Sequence, residues 1–173
     1  MVPLKPISNN AIPAALERAL RYRLLNEPLE SESICCDVLA ADPGNEEALV
    51  TFLLALTDQF ETEYSRALGR AKEVLPQLPD AYERAYYEGI INERWAKAQA
   101  SKGMPAHTVA GWFHRAMHCY ENAEALSASD NPDAILRWNT CARILKRYED
   151  LELAAPSATW DVESDIGDEP PHA

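Results

Sequence analysis

The chain has 173 residues, of which 47% are hydrophobic and only six are glycine, a composition typical of a folded helical domain and not of a disordered chain. Its net charge of −12 argues against nucleic-acid binding, because a protein that binds a phosphate backbone needs clustered Lys and Arg. The longest nearly unbroken apolar run, residues 48–56, is far shorter than the roughly 20 residues of a membrane span, so no membrane association is predicted.

The first ten residues lack the basic region followed by an apolar run that is typical of a secretory signal. The four cysteines, Cys35, Cys36, Cys119 and Cys141, are too few and too irregularly spaced for a disulfide framework. We therefore predict reduced thiols and a cytoplasmic protein.

The negative charge is concentrated at the C-terminal end. Arg147 is the last basic residue, and eight acidic residues follow it. Residues 1–147 therefore carry a net charge of only −4. We predict a disordered N-terminus at residues 1–10, a helical domain at residues 11–149 and an acidic disordered tail at residues 150–173.

Four helices are predicted in the first half of the chain. The first, residues 11–25, has Pro13 in its first turn, where proline is tolerated, and "NEP" separates it from a second at about 29–41. The sequence "DPGN" then ends the second helix and provides Asn45 as the N-cap of a third, residues 46–59. A fourth helix covers about 62–76.

Three longer helices follow. Asp80 and Glu83 form a capping box for the fifth helix, which runs to about residue 101 and has Gly103 at its stop. Pro105 opens the sixth helix, which runs to about residue 127, and the seventh covers about 132–149. No segment shows the period-two alternation of a strand, so the predicted class is all-α.

The second helix of each successive pair carries a large, a small, a medium and a small side chain at steps of three, four and three residues. The three sets are Pro28, Ser31, Cys35 and Val38; Tyr64, Ala67, Ala71 and Val74; and Phe113, Ala116, Tyr120 and Ala123. This spacing lets two antiparallel helices approach closely. It resembles the tetratricopeptide repeat, whose terminal proline is matched by Pro43 and Pro79, its small first-helix position by Ala19 and Gly89, and its aromatic position by Tyr22.

The resemblance covers about residues 12–148 and is degenerate. Pro43 and Pro79 are 36 residues apart, whereas the family period is about 34. The third pair carries a 15-residue excess, which we interpret as two lengthened helices. The resemblance implies about three antiparallel helix pairs and a C-terminal capping helix, and an unrelated seven-helix bundle is the alternative.

If the resemblance holds, the first helix of each pair lines a concave face. The residues predicted to form a partner-binding groove there are Leu16, Leu20, Val50, Leu54, Tyr86, Ile90 and Arg94. All but the last are apolar, which predicts a non-catalytic scaffold that holds an apolar segment of another protein. One alternative is that these side chains belong to the core. Another is a self-associating structural helical protein, possible as a weak homodimer, that uses the same apolar stripe of side chains against its own copy.

Chemistry-bearing motifs are sparse. His114 and His118 lie one helical turn apart, but a zincin would have Glu between them where this chain has Arg115. Cys35 and Cys36 are neighbours, and buried cysteine more often acts as a small hydrophobe than as a redox centre. We predict no enzyme, metal or cofactor, and keep a metal-binding or redox role for these residues as a minor alternative.

The acidic tail contains an apolar motif, Trp160 and Val162. It is predicted either to bind another protein as a short linear motif or to fold back onto the chain's own apolar stripe. In the second case its acids would pair with basic residues of the fifth helix: Arg84, Arg94, Lys97 and Lys102. The alternative is an acidic tail whose only role is to increase solubility.

Overall fold

The computed structural model describes residues 2–62, 64–127 and 131–154, without the side chains of residues 64, 65 and 149–154. Within these ranges the chain forms seven α-helices and no strand, which confirms the all-α class. They are α1 (Ile12–Leu24), α2 (Pro28–Ala41), α3 (Glu46–Asp58), α4 (Tyr64–Val74), α5 (Ala81–Ser101), α6 (Ala106–Leu126) and α7 (Asp133–Ala154). Two 3-10 turns, Asn9–Ala11 and Leu75–Gln77, precede α1 and follow α4.

Side-chain capping sets the start of two of these helices, α3 and α5. The Asn45 side chain accepts a hydrogen bond from the Ala48 N–H at 2.9 Å and so caps α3. Asp80 caps α5 by accepting from the Tyr82 N–H at 3.1 Å. Pro76 lies in the 3-10 turn after α4, which ends two residues before the predicted position.

The C-terminal ends of α1 and α5 have the same kind of backbone turn. In each, a residue in the left-handed conformation is followed by a residue whose N–H donates to the carbonyl five residues before it. At α1 the left-handed residue is Asn26 (φ 60°), and the Glu27 N–H donates to the Tyr22 carbonyl at 2.9 Å. At α5 the left-handed residue is Gly103 (φ 72°), and the Met104 N–H donates to the Gln99 carbonyl at 3.1 Å. Gly103 is therefore the helix stop that the sequence predicts.

Consecutive helices pack against each other along the array, and α1–α3 and α3–α5 are also in contact. Such packing of neighbouring and alternate helices is consistent with a helical repeat. Helices α5 and α6 have 21 residues each, whereas α1 and α2 have 13 and 14. The predicted excess in the third pair is thus located in two lengthened helices.

The repeated spacing in the second helices forms the buried face of each pair. Its buried members are Ser31, Cys35, Val38, Ala67, Ala71, Val74, Phe113, Ala116, Tyr120 and Ala123. Pro28 is half-buried, and the Tyr64 side chain lies outside the described residues. The spacing therefore marks the core, and the tetratricopeptide assignment itself stays a prediction.

The last helix extends beyond its predicted end. Helix α7 continues to Ala154, five residues past its predicted end, and includes the first residues of the predicted tail. It ends where Pro156 follows, because proline disfavours the helical conformation of the residue before it. Residues 155–173, with Trp160 and Val162, lie outside the described residues, and residues 2–8 form no helix.

Candidate functional site

Two residues of the predicted groove are core residues and are not available to a partner. Leu16 is 5% exposed and belongs to a buried cluster with Val38 and Ala48. Ile90 is 2% exposed and belongs to the same buried cluster as Phe113. Neighbouring helices cover both side chains, which does not favour the prediction of these two positions as binding residues.

The other apolar members of the predicted groove are only partly accessible. Val50 is half-buried against the central core, and Leu54 and Tyr86 are half-buried against the cluster that contains Ile90. Leu20 alone among the apolar members is exposed. The described residues of α1, α3 and α5 thus show no continuous open groove, and the alternative that most of the stripe is core fits better.

Arg94, the seventh predicted groove residue, forms an ion pair between helices. Its guanidinium donates to the Asp58 carboxylate and, at 2.8 Å, to the Thr57 hydroxyl. Asp58 also accepts from the Arg23 Nε at 2.8 Å. One carboxylate therefore joins α1, α3 and α5, and Arg94 has a structural partner within the chain.

Glu32 also joins three helices through one carboxylate. Its carboxylate accepts hydrogen bonds from Arg70 on α4 and, at 2.7 Å, from the Gln59 amide at the end of α3. It therefore joins α2 to the two helices that follow it.

The most buried carboxylate is Glu93 on α5, which is fully buried. It accepts hydrogen bonds from the Tyr120 hydroxyl at 2.7 Å, Lys97 Nζ at 2.5 Å and Arg137 at 3.2 Å. Burial by itself raises the pKa of Glu93. The hydrogen bonds from Lys97 and Tyr120 and the charge of Arg137 lower it by more than burial raises it, so the pKa lies below the ordinary value. Glu93 thus stays ionised and joins α5, α6 and α7.

Sequence reasoning missed Glu93 and its partner Arg137. A signal was present, because Glu93 lies three residues after Ile90 and four after Gly89, on the apolar side of α5. A charged residue at such a position needs a buried counter-ion. Its partner 44 residues away was not predictable from local spacing.

The histidine pair does not form a metal site with other described side chains. His114 and His118 are exposed, and a Glu121 carboxylate oxygen lies 3.7 Å from His118 Nδ1. Residues 2–62, 64–127 and 131–154 contain no cluster of three or more His, Cys, Asp or Glu side chains arranged to hold a metal ion. The metal-binding alternative therefore gains no support.

The cysteines occupy three kinds of environment. Desolvation raises the pKa of the buried Cys35 and Cys141 thiols to about 12, and that of the half-buried Cys119 to about 11. Cys36 is exposed, and desolvation also raises its pKa. Because the thiolate is the reactive form, none of these environments activates a nucleophile.

Thiol alkylation tests this order of reactivity. With iodoacetamide at pH 7.5, we expect Cys36 to be modified first, Cys119 more slowly, and Cys35 and Cys141 only after unfolding, because access and thiolate fraction both control the rate. Peptide mass spectrometry over time measures the order. Rapid labelling of Cys35 in the folded protein would contradict the burial described above.

Four exposed leucines lie around the turn between α1 and α2. Leu20 is 46% exposed, Leu24 81%, Leu25 61% and Leu29 58%. Leu20 and Leu24 lie one turn apart on α1, and Leu29 is in the first turn of α2. We call these four residues the leucine patch.

A second accessible region lies between α6 and α7. The exposed side chains Leu126, Ile135 and Leu136 are located at this end. A shallow cavity of about 310 Å³ is lined by Ile135 and Trp138, with Glu121 and Glu124. The Trp138 indole donates to the Glu121 carboxylate at 3.0 Å, so the aromatic ring is held at the surface.

No protein-family model, curated protein or solved structure matches this chain. The tetratricopeptide resemblance therefore depends on residue spacing alone. Among the described residues, no helix is long and apolar enough to cross a membrane.

Proposed function

We propose that this chain is a non-catalytic interaction module that binds an apolar segment of a partner protein at the leucine patch. The observation that supports this is the exposure of four leucines within the ten residues 20–29. Single exposed leucines are ordinary on a protein surface, whereas a contiguous exposed apolar patch is typical of an interaction site. The patch shares only Leu20 with the groove predicted from the sequence.

The surroundings of the leucine patch support a preformed site. Arg23 ties the end of α1 to Asp58 on α3, and the left-handed Asn26 defines the turn into α2. A partner would therefore meet an apolar surface whose backbone is held by these contacts, which reduces the entropy lost on binding. An amphipathic helix or extended segment with apolar anchors fits such a surface.

The alternative is that the leucine patch binds a second copy of the chain in a weak homodimer. An apolar patch is chemically complementary to itself, so a two-fold dimer would also cover it. The paired carboxylates of Glu93, which is buried, and Asp58, which is partly buried, support a non-catalytic role in either case, because each has a cationic partner. A cytoplasmic location is part of this proposal, supported by the four free thiols.

Photocrosslinking in the native host tests the proposal. A photoreactive residue at position 24 is expected to crosslink to another protein, and one at the exposed position 18, on a different side of α1 from Leu20 and Leu24, is not. The double variant Leu24→Asp and Leu29→Asp is expected to weaken partner binding at least about tenfold, since each buried leucine contributes about 1.5–3 kcal/mol and 1.4 kcal/mol corresponds to a factor of ten.

The matched control is Leu126→Asp with Leu136→Asp, which alters two exposed leucines at the opposite end of the array. It is expected to leave partner binding unchanged. Crosslinks from position 24 to the chain itself, together with sedimentation as a dimer at micromolar concentration, would favour the homodimer. Equal loss of binding in both double variants would reject the leucine patch.

A further inference from the structure

The outer face of α7 is uncovered among the described residues. Ile135 and Leu136 near its start and Arg143, Lys146 and Arg147 near its end are all exposed. In a helical array each interior helix is covered by its neighbours, whereas the outer face of the last helix needs a polar surface or a cap. This face is partly apolar, so a cap would stabilise it.

The basic residues on this face have no partner among the described side chains. Arg143, Lys146 and Arg147 form no hydrogen bond or ion pair with any side chain that the structure describes. They form a basic ridge on α7, because positions three and four residues apart lie on one side of a helix.

The basic residues predicted to receive the tail on α5 are already engaged. Arg84 donates to the Leu78 carbonyl, Arg94 to Asp58, and Lys97 to Glu93. Lys102 also has an interaction partner. The charge argument therefore favours the basic ridge of α7 over α5 as the surface that receives the tail.

The 19 residues after Ala154 have the complementary charge and sufficient length. Residues 155–173 contain five acids, no Lys or Arg, and the apolar residues Trp160, Val162 and Ile166. At about 1.5 Å per helical residue, Leu136 is about 27 Å back from Ala154, and ten extended residues span about 33 Å.

We propose that residues 155–173 double back along the outer face of α7 as its cap. The acids Asp161, Glu163 and Asp165 lie beside the basic ridge, and the apolar tail side chains cover Leu136 and the alkyl stems of the basic residues. Each exposed ion pair contributes little, so the contact depends on several pairs and on the high effective concentration of a tethered segment. Salt therefore releases the tail.

Two measurements on the full chain test this proposal. The steady-state ¹H–¹⁵N Overhauser effect reports whether the tail amides of residues 159–168 are restricted. The difference between the fluorescence of the wild type and of Trp160→Phe isolates the emission of Trp160 and leaves the other tryptophans in place. We expect restricted amides and a Trp160 emission that is not water-like, with both lost in about 0.5 M salt.

The variant R143E/K146E/R147E is expected to release the tail. R18E/R66E/K72E, which makes the same charge change at three exposed positions on α1 and α4, is expected to leave the tail restricted. The tail variant D161N/E163Q/D165N removes three acidic charges from the tail and leaves the helices unaltered. Its control, E149Q/D150N/E152Q, removes three acidic charges from the last turns of α7. Release is expected in the tail variant only.

Three results would overturn the proposal. Tail amides that are as mobile in the wild type as in R143E/K146E/R147E would show that no cap forms. Equal restriction in both proteins would place the tail elsewhere. Release of the tail on tenfold dilution would show that a second copy supplies it. None of these variants changes the leucine patch, so this proposal and the proposed function fail independently.

Discussion

The variant Gly89→Ala is expected to be less stable than the wild type by about 1–3 kcal/mol, the usual cost of overpacking a core. A Cβ at position 89 would lie 2.4 Å from Cε1 and 2.7 Å from Cδ1 of Tyr120. The Tyr120 ring is fully buried, and its hydroxyl donates to Glu93 at 2.7 Å, so it cannot retreat without weakening that bond. Urea unfolding followed by circular dichroism measures the change.

Gly111→Ala provides the matched control, since Gly111 is on α6, the same helix as Tyr120, and a Cβ there would meet nothing within 4 Å. Alanine in a helix interior is favoured over glycine by about 0.5–1 kcal/mol, so this variant is expected to be more stable than the wild type. If Gly89→Ala proved as stable as Gly111→Ala, the close packing of α5 against α6 would be contradicted.

The second large effect is expected for Glu93→Gln, which removes the charge from the fully buried carboxylate and leaves Arg137 without its counter-ion. Breaking a buried ion pair by changing one partner costs about 3–5 kcal/mol. Lys97 and Arg137 are partly exposed, so a value at the lower end is expected. Urea unfolding at pH 7 measures the loss.

The effect of Glu93→Gln is expected to depend on pH. The pKa of Glu93 is lowered in the folded chain, so its ionised form stabilises the fold at pH values above the ordinary glutamate pKa of 4.5. That stabilisation is lost as the pH falls below this value toward the folded pKa. The difference in unfolding free energy between wild type and Glu93→Gln is therefore expected to shrink between pH 5 and pH 3.

Glu17→Gln is the control for this pH dependence, because Glu17 is exposed and pairs only with Arg21, one turn along α1. Such an exposed pair contributes about 0–1 kcal/mol, so the variant should unfold nearly as the wild type does at every pH. A Glu93→Gln difference that stays constant from pH 7 to pH 3 would contradict the assigned ionisation of Glu93.

Helix positions were predictable because their determinants are local. Asn45 and Asp80 cap the helices that follow them, and Gly103 ends α5, as their residue types predict. The predicted end of α7 was five residues too early, although Pro156 follows the observed end closely. The acidic composition of residues 149–154 was interpreted as the start of the tail. Composition describes solubility and not helix propensity, and Glu, Leu and Ala all favour helix.

The sequence by itself determined the all-α class, the helix order and the buried face of the second helices, since each follows from contacts between residues at most four positions apart. Tertiary structure decided which apolar side chains remain exposed to solvent. Leu16 and Leu20 share one face of α1, yet Leu16 is buried and Leu20 is exposed. Periodicity identifies the apolar face of a helix, but whether that face is buried depends on where another helix packs. The pairing of Glu93 with Arg137, 44 residues away, likewise depends on how the helices pack.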